Sequence, residues 1–222
     1  MMMGGMATGL LALLACAGAT AAPFQNGSFE AGGVAPCNTF NVPMGSTLIT
    51  GWTVSVGNID WEGSPPSCGW QPSNGVASLD MVGSGAGGVG GISQTFDTVP
   101  GVTYQVLFDL AGNYGAPPTI KPLAVTINGV TSNFTFDTTG RSLNNMGWTT
   151  QSITFVPVGA SSTINFVSDV SASGGTLNAG AALDNVRIAQ VVASTPVPLS
   201  WAQWAAMLLL IVSGTWYLRR RS

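Results

Sequence analysis

The chain has 222 residues, of which only 7% are Asp, Glu, Lys or Arg, and it contains no histidine. That absence excludes a Ser-His-Asp or Cys-His mechanism carried by this chain alone and removes the commonest zinc ligand. Between residues 23 and 192, nine acids face three bases (Lys121, Arg141 and Arg187), a formal balance of −6 that repels phosphate backbones and argues against a nucleic-acid partner.

Residues 1–22 read as a signal peptide. Leu10 to Ala15 is an apolar run too short to span a bilayer, and Ala19-Thr20-Ala21 is a small-x-small cleavage site. The first residues lack Lys and Arg, which departs from the usual pattern, and Met1, Met2, Met3 and Met6 are alternative starts. Leu13-Leu14-Ala15-Cys16 loosely fits a lipoprotein box, but ordinary cleavage is the simpler reading, and Cys16 then leaves with the leader.

Residues 23–192 form one domain, long enough to bury a core. Its sequence is a series of short β-rich runs broken by Gly, Asn, Asp and Pro, with no helical period of ten residues. Thr103 to Leu110 alternates, with Tyr104, Val106, Phe108 and Leu110 on one face and Gln105 and Asp109 on the other. Leu123–Ile127 and Thr131–Phe136 flank Asn128-Gly129, a strong hairpin signal. Gln151–Val156, Thr163–Val167 and Ala182–Ile188 complete the pattern. About ten strands predict an all-β jelly-roll sandwich. In an exported domain, Cys37 and Cys68 are an even pair and are expected to form a disulfide; a metal pair is the poorer reading, because no other soft ligand is present.

Residues 193–198 are a Ser/Thr/Pro linker. From Leu199 to Leu218 the chain is apolar enough for a membrane helix, with Trp201 and Trp204 near one interface and Trp216 and Tyr217 near the other. Arg219, Arg220 and Arg221 follow and hold that end in the cytoplasm, which places residues 23–192 outside.

The segment from Val197-Pro198-Leu199-Ser200 through the apolar run to Arg219-Arg220-Arg221 resembles a bacterial C-terminal sorting domain of the PEP-CTERM and IPTL-CTERM type. It is nearer the IPTL type because it lacks Pro-Glu-Pro. The resemblance implies a membrane sorting protease as a partner and release to the cell surface or exopolysaccharide. The proline motif departs from the pattern in lacking Thr.

A second resemblance covers nearly all of residues 24–190. Asn26-Gly27-Ser28-Phe29-Glu30, Gly51-Trp52, Ser78-Leu79-Asp80-Met81, Gly91-Ile92-Ser93-Gln94-Thr95-Phe96, Phe108 to Asn113, Asn145 to Trp148 and Ala182-Leu183-Asp184-Asn185-Val186 occur in order. Together they resemble the choice-of-anchor C family, which is similar to the plant cell-wall DUF642 proteins. The resemblance implies a secreted, galactose-binding-like jelly roll with a suspected carbohydrate ligand. It also implies a structural calcium held by Glu30 and Asp184, near the first and last strands, with backbone carbonyls. The plainer reading of these two acids is a solvated Glu30 and an Asp184-Asn185 turn.

Trp52, Trp61, Trp70, Trp148 and Tyr114 are flat faces suited to a pyranose, but Trp52 and Trp148 lie in or beside β runs and are expected in the core. Trp70, in Cys-Gly-Trp-Gln-Pro, and Tyr114, in Gly-Asn-Tyr-Gly-Ala-Pro-Pro, are the better candidates for carbohydrate contact. Gly83-Ser84-Gly85-Ala86-Gly87-Gly88 matches G-x-G-x-x-G, but a strand follows it and not a helix, so it reads as a loop. No local motif picks out a pair of carboxylates for glycoside hydrolysis; Asp60 and Glu62 would share one face of a strand and would more simply bind water or a cation. These readings converge on an exported, non-catalytic, polysaccharide-binding module. A structural matrix protein is the first alternative and a secreted glycoside hydrolase the second.

Overall fold

The computed structural model describes residues 22–32, 39–63, 69–85, 87–173 and 178–192. The signal peptide up to residue 21, Cys37 and Cys68, the linker, the apolar tail and Arg219, Arg220 and Arg221 lie outside the described residues. Among those described, no helix is long and apolar enough to cross a membrane.

Ten strands follow in order: β1 (Thr39–Pro43), β2 (Thr53–Gly63), β3 (Ala77–Asp80), β4 (Val89–Asp97), β5 (Tyr104–Gly112), β6 (Ile120–Ile127), β7 (Val130–Asp137), β8 (Thr149–Phe155), β9 (Ser161–Asp169) and β10 (Ala181–Gln190). All their pairings are antiparallel. The order across the molecule is β7-β6-β9-β4-β2-β3-β10-β5-β8, and β1 also lies on β2. The all-β sandwich expected from the sequence is therefore present.

β2 belongs to both layers. Thr53 to Gly57 pairs with β4, and Asn58 to Gly63 then pairs with β1 and β3. The chain turns this corner at Gly57, whose φ is +56°. A Cβ there would lie 1.9 Å from the Val89 carbonyl oxygen, so neither the backbone angle nor the space admits a side chain.

Alternation along the strands fills the space between the layers. Val106, Phe108 and Leu110 of β5 meet Leu123 and Val125 of β6 and Ile164 and Phe166 of β9, all fully or almost fully buried. Phe108 packs edge-on against Phe134 at 5.2 Å and Phe166 at 5.3 Å between ring centroids, which joins the two layers. Trp52 and Trp61 are also core residues. Their indole N–H groups donate to the carbonyls of Asn26 and Phe29 and so fasten the first described segment to the sandwich. Glu30 lies in that irregular segment, nine residues ahead of the first strand.

One face differs from the alternation rule. Asp109, placed by sequence on a solvent face, is only 7% exposed. Thr150 and Asn185 both donate to its carboxylate and cover it, and Arg187 approaches to 3.8 Å.

Candidate functional site

The strands leave two different outer surfaces. On the face of the β2–β3–β10–β5 layer turned away from the core stand Glu62, Asp60, Asp80, Asp184 and Asp109, each less than one-tenth exposed. Their buried oxygens accept hydrogen bonds: Thr39 donates to Glu62, Asn41 and Ser84 to Asp60, and Asn113 with the amides of Val82 and Gly180 to Asp80. Burial raises the pKa of Glu62 and pushes Asp80 and Asp184 up to about 7. Asp60 and Glu62 do share one strand face, as expected, but loops and neighbouring side chains bury both.

Glu30 and Asp184 grip the two ends of one segment. Glu30 Oε1 accepts from the amides of Val76 and Ala77. Asp184 Oδ2 accepts from the amides of Ser73 and Asn74 and from the Ser73 hydroxyl, while its Oδ1 accepts from the Asn185 amide. Glu30 Oε2 has no hydrogen-bond partner among the described residues, and Asp184 Oδ1 has lone-pair capacity left. These oxygens suit Ca²⁺ in kind. Among the described residues, no group of three or more Asp, Glu, Cys or His side chains gathers to hold a metal. The arrangement on view is thus a pair of carboxylates stapling residues 73–77, with both oxygens of Asp184 already accepting hydrogen bonds and Oε2 of Glu30 uncommitted among the described residues.

Trp70 is carried by that same loop and is turned inward. It is 5% exposed, and its indole N–H donates to the Ser78 hydroxyl at 2.8 Å. Its faces are covered by the core, so it offers no stacking platform to solvent. Tyr114 remains 36% exposed.

The β7–β6–β9–β4 layer presents a different outer face. Hydroxyls and amides line it, and many satisfy one another: Thr126 with Thr131 and Thr95 with Thr163, both at 2.8 Å, and Ser55 with Asn165 at 2.7 Å. Where β6, β7 and β9 lie side by side, this face holds a trough of about 400 Å³. Its floor is made by Pro122, Ala124 and Val167, and its polar groups are Asn133, Thr135 and Asp169. Register explains the grouping, because Ala124 pairs with Asn133 on one side and with Val167 on the other. The small Ala124 between longer neighbours leaves the depression. Neither Asn133 nor Thr135 has a side-chain hydrogen-bond partner among the described residues. Asp169 accepts from the Ser171 hydroxyl and amide through Oδ1 alone. Those bonds hold its pKa below the ordinary carboxylate value, so it is ionised, and Oδ2 faces no donor among the described residues.

The loop that carries Tyr114 leads into β6, which begins at Ile120, two residues before Pro122. That loop is tied down at several points. Asn113 donates to Asp80 at 2.6 Å, the Gly115 amide to Asn113 at 2.8 Å, and the Thr138 hydroxyl and amide to the Thr119 carbonyl. Sequence reasoning missed the trough because its residues are small or unremarkable one by one. The β6–β7 hairpin joins part of it, and the pairing of β6 with the non-consecutive β9 brings in Val167 and Asp169. A second groove, of about 350 Å³, lies at the other end of the sandwich between β7 and β8. Ile127, Val130, Ile153, Phe155 and Val158 dominate its walls, and no ionisable group lines it.

Comparison with known proteins adds a family. A family model described as "Protein of unknown function (DUF642)" matches residues 22–189. Halomucin of Haloquadratum walsbyi is 30% identical over 182 residues; the match covers 78% of this chain but only 2% of halomucin. Among solved structures, TmCBM61 in complex with β-1,4-galactotriose is 16% identical, with 76% of this chain and 97% of that one covered, at a TM-score of 0.48. The CBM22-1 xylan-binding domain of Paenibacillus barcinonensis Xyn10C is 14% identical, with 72% and 100% covered, at a TM-score of 0.42.

Proposed function

The chain belongs to the DUF642 family, and from that premise, which assigns no activity, we propose that it is an exported, non-catalytic module that binds a neutral polysaccharide in the trough formed by β6, β7 and β9. The observation that carries this reading is the trough itself. A polyhydroxylated chain needs an apolar floor for its C–H faces and a few hydrogen-bonding groups at fixed positions. Pro122, Ala124 and Val167 supply the first, and Asn133, Thr135 and Asp169 the second. An ionised carboxylate with an uncommitted oxygen accepts strongly from sugar hydroxyls. The acidic balance of residues 23–192 and the carboxylate in the trough argue for a neutral polymer over a sulfated or uronic one. Tyr114, exposed on the loop that leads into β6, is the aromatic proposed to extend the contact.

The test is a glycan array followed by affinity electrophoresis on the polymers that score. Saturable binding that Asp169→Ala and Asn133→Ala each weaken by about tenfold, roughly the value of one charge-assisted or well-placed hydrogen bond, supports the trough. Binding that survives both changes sinks it. Turnover of a polymer, abolished by replacing one buried carboxylate, would make the protein a hydrolase instead.

Structural calcium at Glu30 and Asp184 belongs to the same proposal. The two carboxylates would hold the ion, and the ion would supply charge neutralisation beneath residues 73–77. Its measure is the melting temperature in millimolar CaCl₂ against EGTA: a rise with calcium supports the site, and identical melting curves remove it.

Export and anchoring are proposed from the ends of the sequence. The mass and cell fraction of the mature protein test them. Loss of the leader and of Leu199 to Ser222, with the protein outside the cell, supports sorting and release. Retention of Arg219 to Arg221 in the membrane fraction supports a simple anchored protein.

A structural matrix role is a second reading, and the edges of the sandwich favour it. β7 and β8 end their layers, and neither contains a Pro, a Lys or a bulge. Such edges accept a strand of a second copy. Concentration-dependent assembly without any glycan signal would favour this reading over the first.

A further inference from the structure

Lys121 is a lysine on the inward face of β6, in line with Leu123, Val125 and Ile127, and it is 0% exposed. A buried ammonium is tolerated only where its N–H groups find acceptors. Here Nζ donates to the Ala116 carbonyl at 2.6 Å and to the Ala179 carbonyl at 2.8 Å. Those carbonyls belong to different segments: Ala116 to the Tyr114 loop, and Ala179 to the turn that leads into β10.

The same two segments are held a second time by Asp80, which is 1% exposed. Its Oδ1 accepts from the Gly180 amide at 2.9 Å and its Oδ2 from Asn113 at 2.6 Å. The Asn113 amide adds a bond to the Gly180 carbonyl. The lysine stem is itself confined, because a Cβ at Gly112 would lie 2.6 Å from Lys121 Cγ. An apolar residue at position 121 would fill the same space and leave both carbonyls without this donor. The charge therefore serves the loops, since the core gains nothing from it.

We propose that Lys121 is the positioning residue of the binding trough: its buried ammonium clamps the Tyr114 loop to the segment around Ala179 and so fixes the path of the chain into Pro122, which lines the trough. This rests on the reading of the trough as a glycan site. Because the clamp acts through main-chain carbonyls, it fixes the loop's path while leaving its side chains to set ligand preference. Asp80, through Asn113 and Gly180, is the second half of the same device.

The experiment compares full-length wild type, Lys121→Met and Lys121→Gln by hydrogen–deuterium exchange and by glycan retention. Methionine keeps the length and volume and loses the donors; glutamine keeps an N–H donor. In Lys121→Met the amides of residues 113–116 and Thr119 should exchange about tenfold faster, the scale of a hydrogen bond from a charged group. Residues 149–155 should be unchanged, and retention should fall in parallel. Lys121→Gln should recover much of both. Unaltered exchange at 113–116 and Thr119 in Lys121→Met overturns the proposal. Faster exchange in a protein whose wild type retains no glycan leaves the clamp standing and removes the glycan reading. Should Lys121→Met fail to fold, the side-chain ¹⁵N signal of Lys121, the one lysine of the wild-type chain, decides. A slowly exchanging Lys121 ammonium supports the clamp, and one exchanging at the rate of an exposed lysine overturns it.

Discussion

Trp70 shows how far one side chain's meaning depends on what covers it. A tryptophan between glycine and proline in a polar loop reads as a ligand contact, but here the loop is drawn back over the sheet by Glu30 and Asp184, and the indole is buried against Ser78. Its replacement should therefore act on stability. Trp70→Ala is expected to cost about 3–5 kcal/mol, the usual range for a large buried aromatic. Urea denaturation would check this, and any loss of glycan retention should follow the unfolded fraction. Tyr114→Ala, at an exposed site, should instead leave the denaturation midpoint within about 0.5 kcal/mol of wild type and act on retention alone.

At the scale of elements, the sequence was most legible where short-range chemistry decides the outcome. Asn128 and Gly129 have φ of +49° and +84°, and Ile127 pairs directly with Val130, so the two-residue turn stands where Asn-Gly demands it. Gly129→Ala should destabilise by about 1–2 kcal/mol, because an L side chain is strained in that conformation; a thermal melt would show it as a lower midpoint. The alternation of β5 and the strands β8, β9 and β10 were likewise legible from β-branched and aromatic residues. The trough was only half legible, because the hairpin sets Pro122 beside Asn133 and Thr135, whereas Val167 and Asp169 arrive through the β6–β9 pairing that topology sets. The burial of Lys121 was not legible: in sequence it is only one of three bases between residues 23 and 192, and its partners, the carbonyls of Ala116 and Ala179, come from separate segments.

For the molecule as a whole, the buried ionisable groups set the response to pH. Asp80 and Asp184 have pKa values near 7 in the fold against 3.8 ordinarily, because burial disfavours their charged form. Between those values the folded protein binds more protons than the unfolded chain, so stability falls as pH rises from about 4 to about 7. Lys121 shifts the other way, from 10.5 to about 8, again by burial. Between 8 and 10.5 the unfolded chain binds more protons, so stability rises with pH. The melting temperature should therefore pass through a minimum near pH 7 to 8. A profile that instead peaks there would mean that these groups are charged and paired in the fold. Asp137 and Asp169, exposed and held low by bonds from Thr139 and Ser171, oppose this trend only weakly and only below about pH 4.

The strand that closes the domain also decides how it meets mechanical force. β10 lies inside its layer, between β3 and β5, and pairs with β5 from Ala181–Gly112 to Gln190–Tyr104. A pull on the chain beyond Gln190 enters the fold along this strand. It meets many cross-strand hydrogen bonds side by side and must shear them together, whereas an edge strand would peel away one bond at a time. The last strand of the domain is thus built into the interior of its layer, where tension is shared.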